Sequence, residues 1–284
     1  MTDWVVTGAG EAARGDDPTP YLKSRKTRKF MGLQDELAVV AAGRALESAG
    51  MAGRPLGPTV GLYLAVGYIP FEADDIDGIL KNSTEDGRMS LKRFTSDGYQ
   101  SANPLLTFRC LSNMPAFHIS VNFDVQGPYF TTYPGPGQFY AALEMAQLAL
   151  EGGQAEAVIV GAVAHQRNFL VEHHHARLMP PVEAAQLVDG AACLVLESAE
   201  RAKSRGAVPK ARLADVSVDY RPFDPFLVTK QAVEQPASDS GAASLPVALC
   251  RAIRAAAAAP NGPLKHRLEA RDGTVAESVW ELSR

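Results

Sequence analysis

The chain has 284 residues, 46% of them hydrophobic, and a net charge of −4. That is ample material for a buried core, and it excludes the general positive field that nucleic-acid binding relies on. Three widely spaced cysteines, Cys110, Cys193 and Cys250, form no CxxC pair; neither a disulfide framework nor a zinc site is expected, and a reducing, cytoplasmic setting is.

The opening residues lack a basic region followed by an apolar core, so no signal peptide is expected. No segment reaches the roughly 18 apolar residues of a membrane span; residues 141–150 are interrupted by Glu144 and Gln147. Residues 4–7 read as a short strand ending at Gly8-Ala9-Gly10. The basic run from Lys23 to Lys29 is either a solvated lead-in to a helix or a docking patch for an acidic partner. Residues 33–50 have helical apolar spacing at Leu37, Val40, Ala41, Leu46 and Ala49, with Gly50 at the C′ position. Residues 60–66 are a buried strand, and 67–100 are a polar stretch with a helix near 72–81.

An apolar helix is expected within 103–118 and strands at 119–123 and 129–132. A helix at 138–150, strands at 157–162 and 189–197, a helix at 199–205 and a strand at 212–218 follow. This alternation predicts an α/β fold with a mostly parallel sheet. Residues 219–240 read as loop, 241–259 as an Ala-rich helix, and 264–282 as a hairpin turning at Asp272-Gly273.

Several segments resemble β-ketoacyl synthases, in that family's order. Val5-Val6-Thr7-Gly8-Ala9-Gly10 is similar to its opening strand and turn, and Ala41-Ala42-Gly43-Arg44-Ala45-Leu46-Glu47-Ser48-Ala49-Gly50 to its first long helix. Asn113-Met114-Pro115-Ala116, with His118-Ile119-Ser120 and Gly127-Pro128, resembles the stretch before its nucleophile. Ala157-Val158-Ile159-Val160-Gly161-Ala162, the run from Asp189 to Glu197 and Ala202-Lys203-Ser204-Arg205-Gly206-Ala207 resemble three later motifs. The likeness covers residues 4–218. It implies a thiolase-like fold with a largely complete N-terminal half and a strongly shortened C-terminal half. The corresponding domains are 1–218, the ketosynthase-like α/β unit, and 219–284, a reduced remnant of one helix and terminal strands packed on it.

A ketosynthase needs a thiolate at a strand-to-helix turn and two histidines that stabilise the oxyanion. Aligned without gaps between Gly127-Pro128 and Ala142-Leu143, the resemblance places Pro136 at the nucleophile position. Proline has neither a nucleophilic side chain nor an N–H. The first histidine motif is absent, and the nearest likeness to the second, Ser240-Gly241-Ala242-Ala243-Ser244, places Ser238 at the histidine. No catalytic residue, cofactor or metal is therefore expected. The His173-His174-His175 run reads as loop decoration or a partner contact, because adjacent residues rarely ligate one ion. His118 reads as a satisfied, half-buried histidine and Cys110 as a small buried core residue.

The resemblance implies a chain-length-factor-like subunit paired with an active ketosynthase in a carrier-protein-dependent polyketide, polyene or fatty-acid-like pathway, where it would wall the partner's acyl tunnel. Contact with an acyl carrier protein would run through that partner. The expected interface and tunnel residues are Tyr129, Phe130, Thr131, Thr132, Tyr133, Gln138, Phe139, Met114 and Phe117; aromatics are enriched at interface anchors. Gln138 draws attention because chain-length factors carry glutamine near the lost cysteine. The alternatives are a homodimeric scaffold or regulatory protein, and a divergent acyltransferase with a relocated nucleophile.

Overall fold

The computed structural model describes residues 3–69, 72–177, 181, 183–222, 230–233, 240–258, 262–270 and 273–283. In chain order the strands and helices are β1 (Trp4–Ala12), α1 (Leu33–Ser48), β2 (Val60–Val66), α2 (Ala73–Ser83), β3 (Thr84–Glu85), β4 (Arg88–Met89) and α3 (Leu91–Arg93). Then come α4 (Leu106–Cys110), α5 (Met114–Phe123), β5 (Tyr129–Thr132), α6 (Gln138–Glu151), β6 (Ala157–Ala164), α7 (Phe169–Ala176), β7 (Gly190–Ser198) and α8 (Ala199–Ser204). The last elements are β8 (Ala211–Tyr220), β9 (Lys230–Val233), α9 (Ser244–Ala256), β10 (Leu264–Glu269) and β11 (Thr274–Leu282).

Nine strands form one sheet in the order β5-β2-β6-β7-β1-β8-β11-β10-β9. The expected mostly parallel sheet is corrected. Only β5-β2 and β2-β6 pair in parallel; β7 enters between β6 and β1 against both, and the rest is antiparallel. A parallel pair needs a crossover as long as the strand, and the chain makes one through α6 between β5 and β6. After β6 the eight-residue α7 serves only a return, so β7 comes back antiparallel. The expected loop at 219–240 contains β9, and residue 218 lies inside β8.

Two further elements differ from the sequence expectation. β1 runs through Gly8 and Gly10 rather than turning there. A Cβ on Gly8 would lie 2.2 Å from the Ala45 carbonyl oxygen, and one on Gly10 would lie 2.3 Å from that of Ala41. These glycines let α1 lie directly on the strand. Residues 119–123 belong to α5, not to a strand. Their β-branched character favours a strand, but the buried His118, Ile119 and Asn122 recur at helical spacing against α1. Tertiary packing overrides the propensity. α1 itself ends as expected: Met51 N–H donates to Leu46 O and Gly50 N–H to Glu47 O, a Schellman cap with Gly50 at φ +67.

The sheet is covered on both faces. Leu37, Val40 and Leu46 of α1 with Ile119 of α5 pack on one side. Phe139, Tyr140 and Leu143 of α6, Leu245 and Leu249 of α9, and Trp280 of β11 fill the other. The Tyr140 hydroxyl meets His266 Nδ1 at 2.7 Å and Ser278 Oγ at 2.9 Å, tying α6 to the β10-β11 hairpin.

One ion cluster is buried in the first half. Glu197, fully enclosed at the end of β7, is reached by Arg205 at 2.5 Å, Arg201 at 2.9 Å and the Thr7 hydroxyl at 2.5 Å. Burial pushes its carboxyl up, but the hydrogen bonds from Arg205 and Thr7 and the charges of both arginines outweigh this and hold it below the usual carboxylate range. Among the described residues no helix is long and apolar enough to cross a membrane.

Candidate functional site

The candidate site begins at the corner between β5 and α6. Gly135 has φ +111, a conformation open to glycine, and the Gln138 N–H donates to its carbonyl at 3.2 Å. Pro136, half-buried, fixes the next φ, and Gly137 caps α6. The Thr132 hydroxyl spans the corner to the Gln138 carbonyl at 2.8 Å. A strand, a tight turn and a helix N-terminus are thus all present, and the turn holds Pro134, Gly135, Pro136 and Gly137.

β1, β2, β5 and β6 run in one direction, so their C-terminal ends share a rim, where open α/β sheets bind ligands. The rim carries an apolar hollow of about 190 Å³ lined by Tyr68, Ile69, Tyr133, Leu170, Val171 and His174. Beside it, buried His165 lies 2.9 Å from Arg14 and 3.7 Å from Glu72, while Arg14 pairs with Asp189 at 2.7 Å. Burial pulls the His165 pKa down against the charges of Asp189 and Glu72. Its Nε2 lies between the Arg14 guanidinium and the Arg167 carbonyl oxygen, 3.0 Å away, and burial and the Arg14 charge both favour the neutral ring. Sequence reasoning missed this group: its members are up to 175 residues apart and belong to no short motif.

Two of the three thiols are enclosed by the fold. Cys193 and Cys250 are buried, and burial pushes both pKa values up, that of Cys250 to about 12. Cys110 lies in α4 and is half-buried rather than in the core.

The histidines are spread over several elements, and His174 lines the hollow that Tyr133 also borders. His118 lies between α5 and α1, fully buried, with neither ring nitrogen hydrogen-bonded; this corrects the expectation of a satisfied, half-buried residue. His266 lies in the core beneath α6. The run at 173–175 is on α7, not a loop: His175 points inward, Nδ1 to Val171 O at 2.9 Å, and His174 packs on Tyr68. Successive helical residues point about 100° apart, so the three cannot share an ion, and among the described residues no group of three potential ligands could hold one. Ser238 lies outside the described residues.

A family model, Beta-ketoacyl synthase, N-terminal domain, matches residues 9–202. The chain belongs to the β-ketoacyl synthase family. Its thiolase-like fold is also that of solved structures of low sequence identity. AntDE:AntF, a type II PKS acyl-carrier protein in complex with its ketosynthase bound to the hexaketide, matches at TM-score 0.77 and 15% identity, over 99% of both chains. The ishigamide ketosynthase/chain length factor matches at 0.73 and 17%, over 99% of this chain and 100% of that one. A β-ketoacyl synthase from Burkholderia phymatum STM815 matches at 0.58 and 19%, over 78% of this chain and 65% of that one. No curated protein sequence matches.

Within this ketosynthase-family frame, the residues named from sequence divide into three groups. β5 is an edge strand paired only with β2, and its Tyr129 is 66% exposed, with Phe130 and Tyr133 also open. Phe117 on α5 is 49% exposed; Val121, one turn on, and Leu111 extend its apolar face. Val121 was missed because 119–123 read as a strand. Thr131 and Gln138 are half-buried. Met114, Thr132 and Phe139 are enclosed by this chain, which corrects their placement at a partner surface. The periodicity of α6 explains Phe139: with Leu143, Ala146 and Leu150 it forms the stripe facing the sheet. Phe139→Ala is therefore expected to cost about 3–5 kcal/mol of stability, read by urea unfolding; a change under about 1 kcal/mol would place the ring outside the core.

Proposed function

We propose that this chain is a non-catalytic, chain-length-factor-like subunit that pairs with an active ketosynthase in a carrier-protein-dependent polyketide, polyene or fatty-acid-like pathway of the cytoplasm. One observation supports the reading: the β5–α6 turn is Pro134-Gly135-Pro136-Gly137, with no nucleophilic side chain, while an edge strand with exposed aromatics stands open beside it. An unpaired edge with exposed aromatics is a template for another chain. Residues 219–284 are, on this reading, a reduced remnant of the family's second half, kept because α9 and the β10-β11 hairpin cover α6. The subunit contributes stability and part of the acyl tunnel wall, and carrier-protein contact runs mainly through the ketosynthase.

The test is reconstitution with the ketosynthase encoded alongside this chain. Sedimentation should show a heterodimer or a higher assembly of the two. Intact mass after incubation with acyl- and malonyl-carrier protein should show acylation of the ketosynthase and none of this chain. Pro136→Cys is expected to remain without condensing activity, because neither of the family's two histidine motifs is present in the sequence. A stoichiometric acyl adduct on the unaltered chain would establish the relocated-nucleophile reading instead, and a stable homodimer indifferent to the ketosynthase would establish the scaffold reading.

A further inference from the structure

We propose that the basic 3₁₀ turn Arg25–Phe30 is a steering rim of the partner interface, and that it engages an acidic strip on the ketosynthase with which this chain pairs. The inference rests on the partner-subunit reading and adds to it the chemistry of recognition.

Five cations fall within residues 23–29 of a chain whose net charge is −4. Two are engaged. Lys23 is paired with Asp124, and Arg28 with Glu36 at 2.8 Å and Asp17 at 3.3 Å. Arg25, Lys26 and Lys29 are exposed, with no carboxylate at ion-pairing distance among the described residues. The Asp17 carboxyl is held low first by hydrogen bonds from Thr19, and Arg25 acts on it only as a distant charge. A solvated face ordinarily intersperses both signs; this turn has no acidic residue from 24 to 30.

Its position is as informative as its charge. The Lys29 ammonium lies 4.7 Å from the Phe30 ring centre, and that ring meets Phe108 edge-on at 5.8 Å. Phe108 is exposed in α4, directly before the open face of Leu111, Phe117 and Val121. The cations therefore flank an apolar face, the arrangement of a polar rim beside an interface core. At about 2.0 Å rise per residue, Arg25 and Lys29 stand about 8 Å apart along the turn. Rim charges of this kind act on the encounter and are screened by salt, whereas buried apolar contacts govern dissociation.

The test is association kinetics between the full-length chain and the ketosynthase encoded beside it. The variant is R25A/K26A/K29A; the control is K203A/K210A/K265A, which removes the same charge from other elements. At about 50 mM salt the variant is expected to associate about tenfold or more slowly than the control, with the gap closing near 500 mM and dissociation unchanged within about twofold. Equal association rates for variant and control, or a loss confined to dissociation, would overturn the steering role while leaving the partner reading intact. Failure of the unaltered chain to bind the ketosynthase would overturn the partner reading itself.

Discussion

Glutamine at Glu197 is expected to lower the free energy of unfolding by about 3–5 kcal/mol, roughly a fifth or more of what a domain of ordinary stability has. The substitution keeps the size of the side chain and an acceptor for the Thr7 hydroxyl. It removes the charge that faces Arg205 and Arg201 inside the fold. Arg205 also donates to the Ala49 carbonyl at 2.8 Å, so it cannot leave for solvent without breaking the end of α1. Removing Arg205 as well, in E197Q/R205M, should cost less than the sum of the single changes, because the stranded charge goes with it. The depressed carboxyl adds a pH signature: its contribution is complete above the ordinary carboxylate range and is lost as pH falls through its lower folded value. Urea unfolding at pH 7 and pH 3.5 measures both effects. A cost below about 1 kcal/mol for E197Q would mean that solvent already reaches the cluster.

Stability should pass through a maximum near pH 6.5, and Asp35→Asn should abolish the fall on its alkaline side. Burial pushes the Asp35 carboxyl from 3.8 to about 8, with the Gly32 N–H bond at 2.7 Å opposing it. Burial also pulls His118 and His266 from 6.5 to about 4. Asp35 lies 4.0 Å from His118 Nε2, too far for a direct hydrogen bond, so desolvation governs both. A raised carboxyl loses stability as pH climbs from its unfolded to its folded value; a lowered histidine gains it over the same sense of change. Between pH 4 and 6.5 the Asp35 and His118 slopes oppose each other, leaving His266, and His165 whose pKa burial also lowers, to add about 3 kcal/mol or more. From pH 6.5 to 8 Asp35 acts alone and removes about 2 kcal/mol. In D35N the alkaline decline disappears and the acid limb steepens by one proton. A wild-type profile that stays level from pH 6.5 to 8.5 would show that the carboxyl is ionised within the fold.

The corner at Pro136 was legible because it lies between two short motifs, Gly127-Pro128 and Ala142-Leu143, that set its register. Most strands were equally legible: runs such as Val60–Val66 are apolar throughout because both faces of the sheet are covered. What escaped depended on partners distant in sequence. Gly8 and Gly10 look like a turn until α1 is placed against them. Residues 119–123 have strand composition and helical burial. His118 looks ordinary until Asp35, 83 residues earlier, is seen facing it inside the fold. The direction of β7 was hidden because a strand buried on both faces has the same composition in either orientation.

The placing of β11 bears on how the chain is made. It lies between β8 and β10 and holds Trp280 in the core around α6. β8 leaves the ribosome more than fifty residues ahead of its neighbour, so the sheet cannot be completed while β11 is still inside the exit tunnel. Until then the apolar side of α6 has only part of its cover, and pairings this distant in sequence form slowly. The unfinished chain is thus the species with the most apolar surface still uncovered. If the subunit is made beside its partner, the open edge of β5 can be engaged before the far end of the sheet has closed.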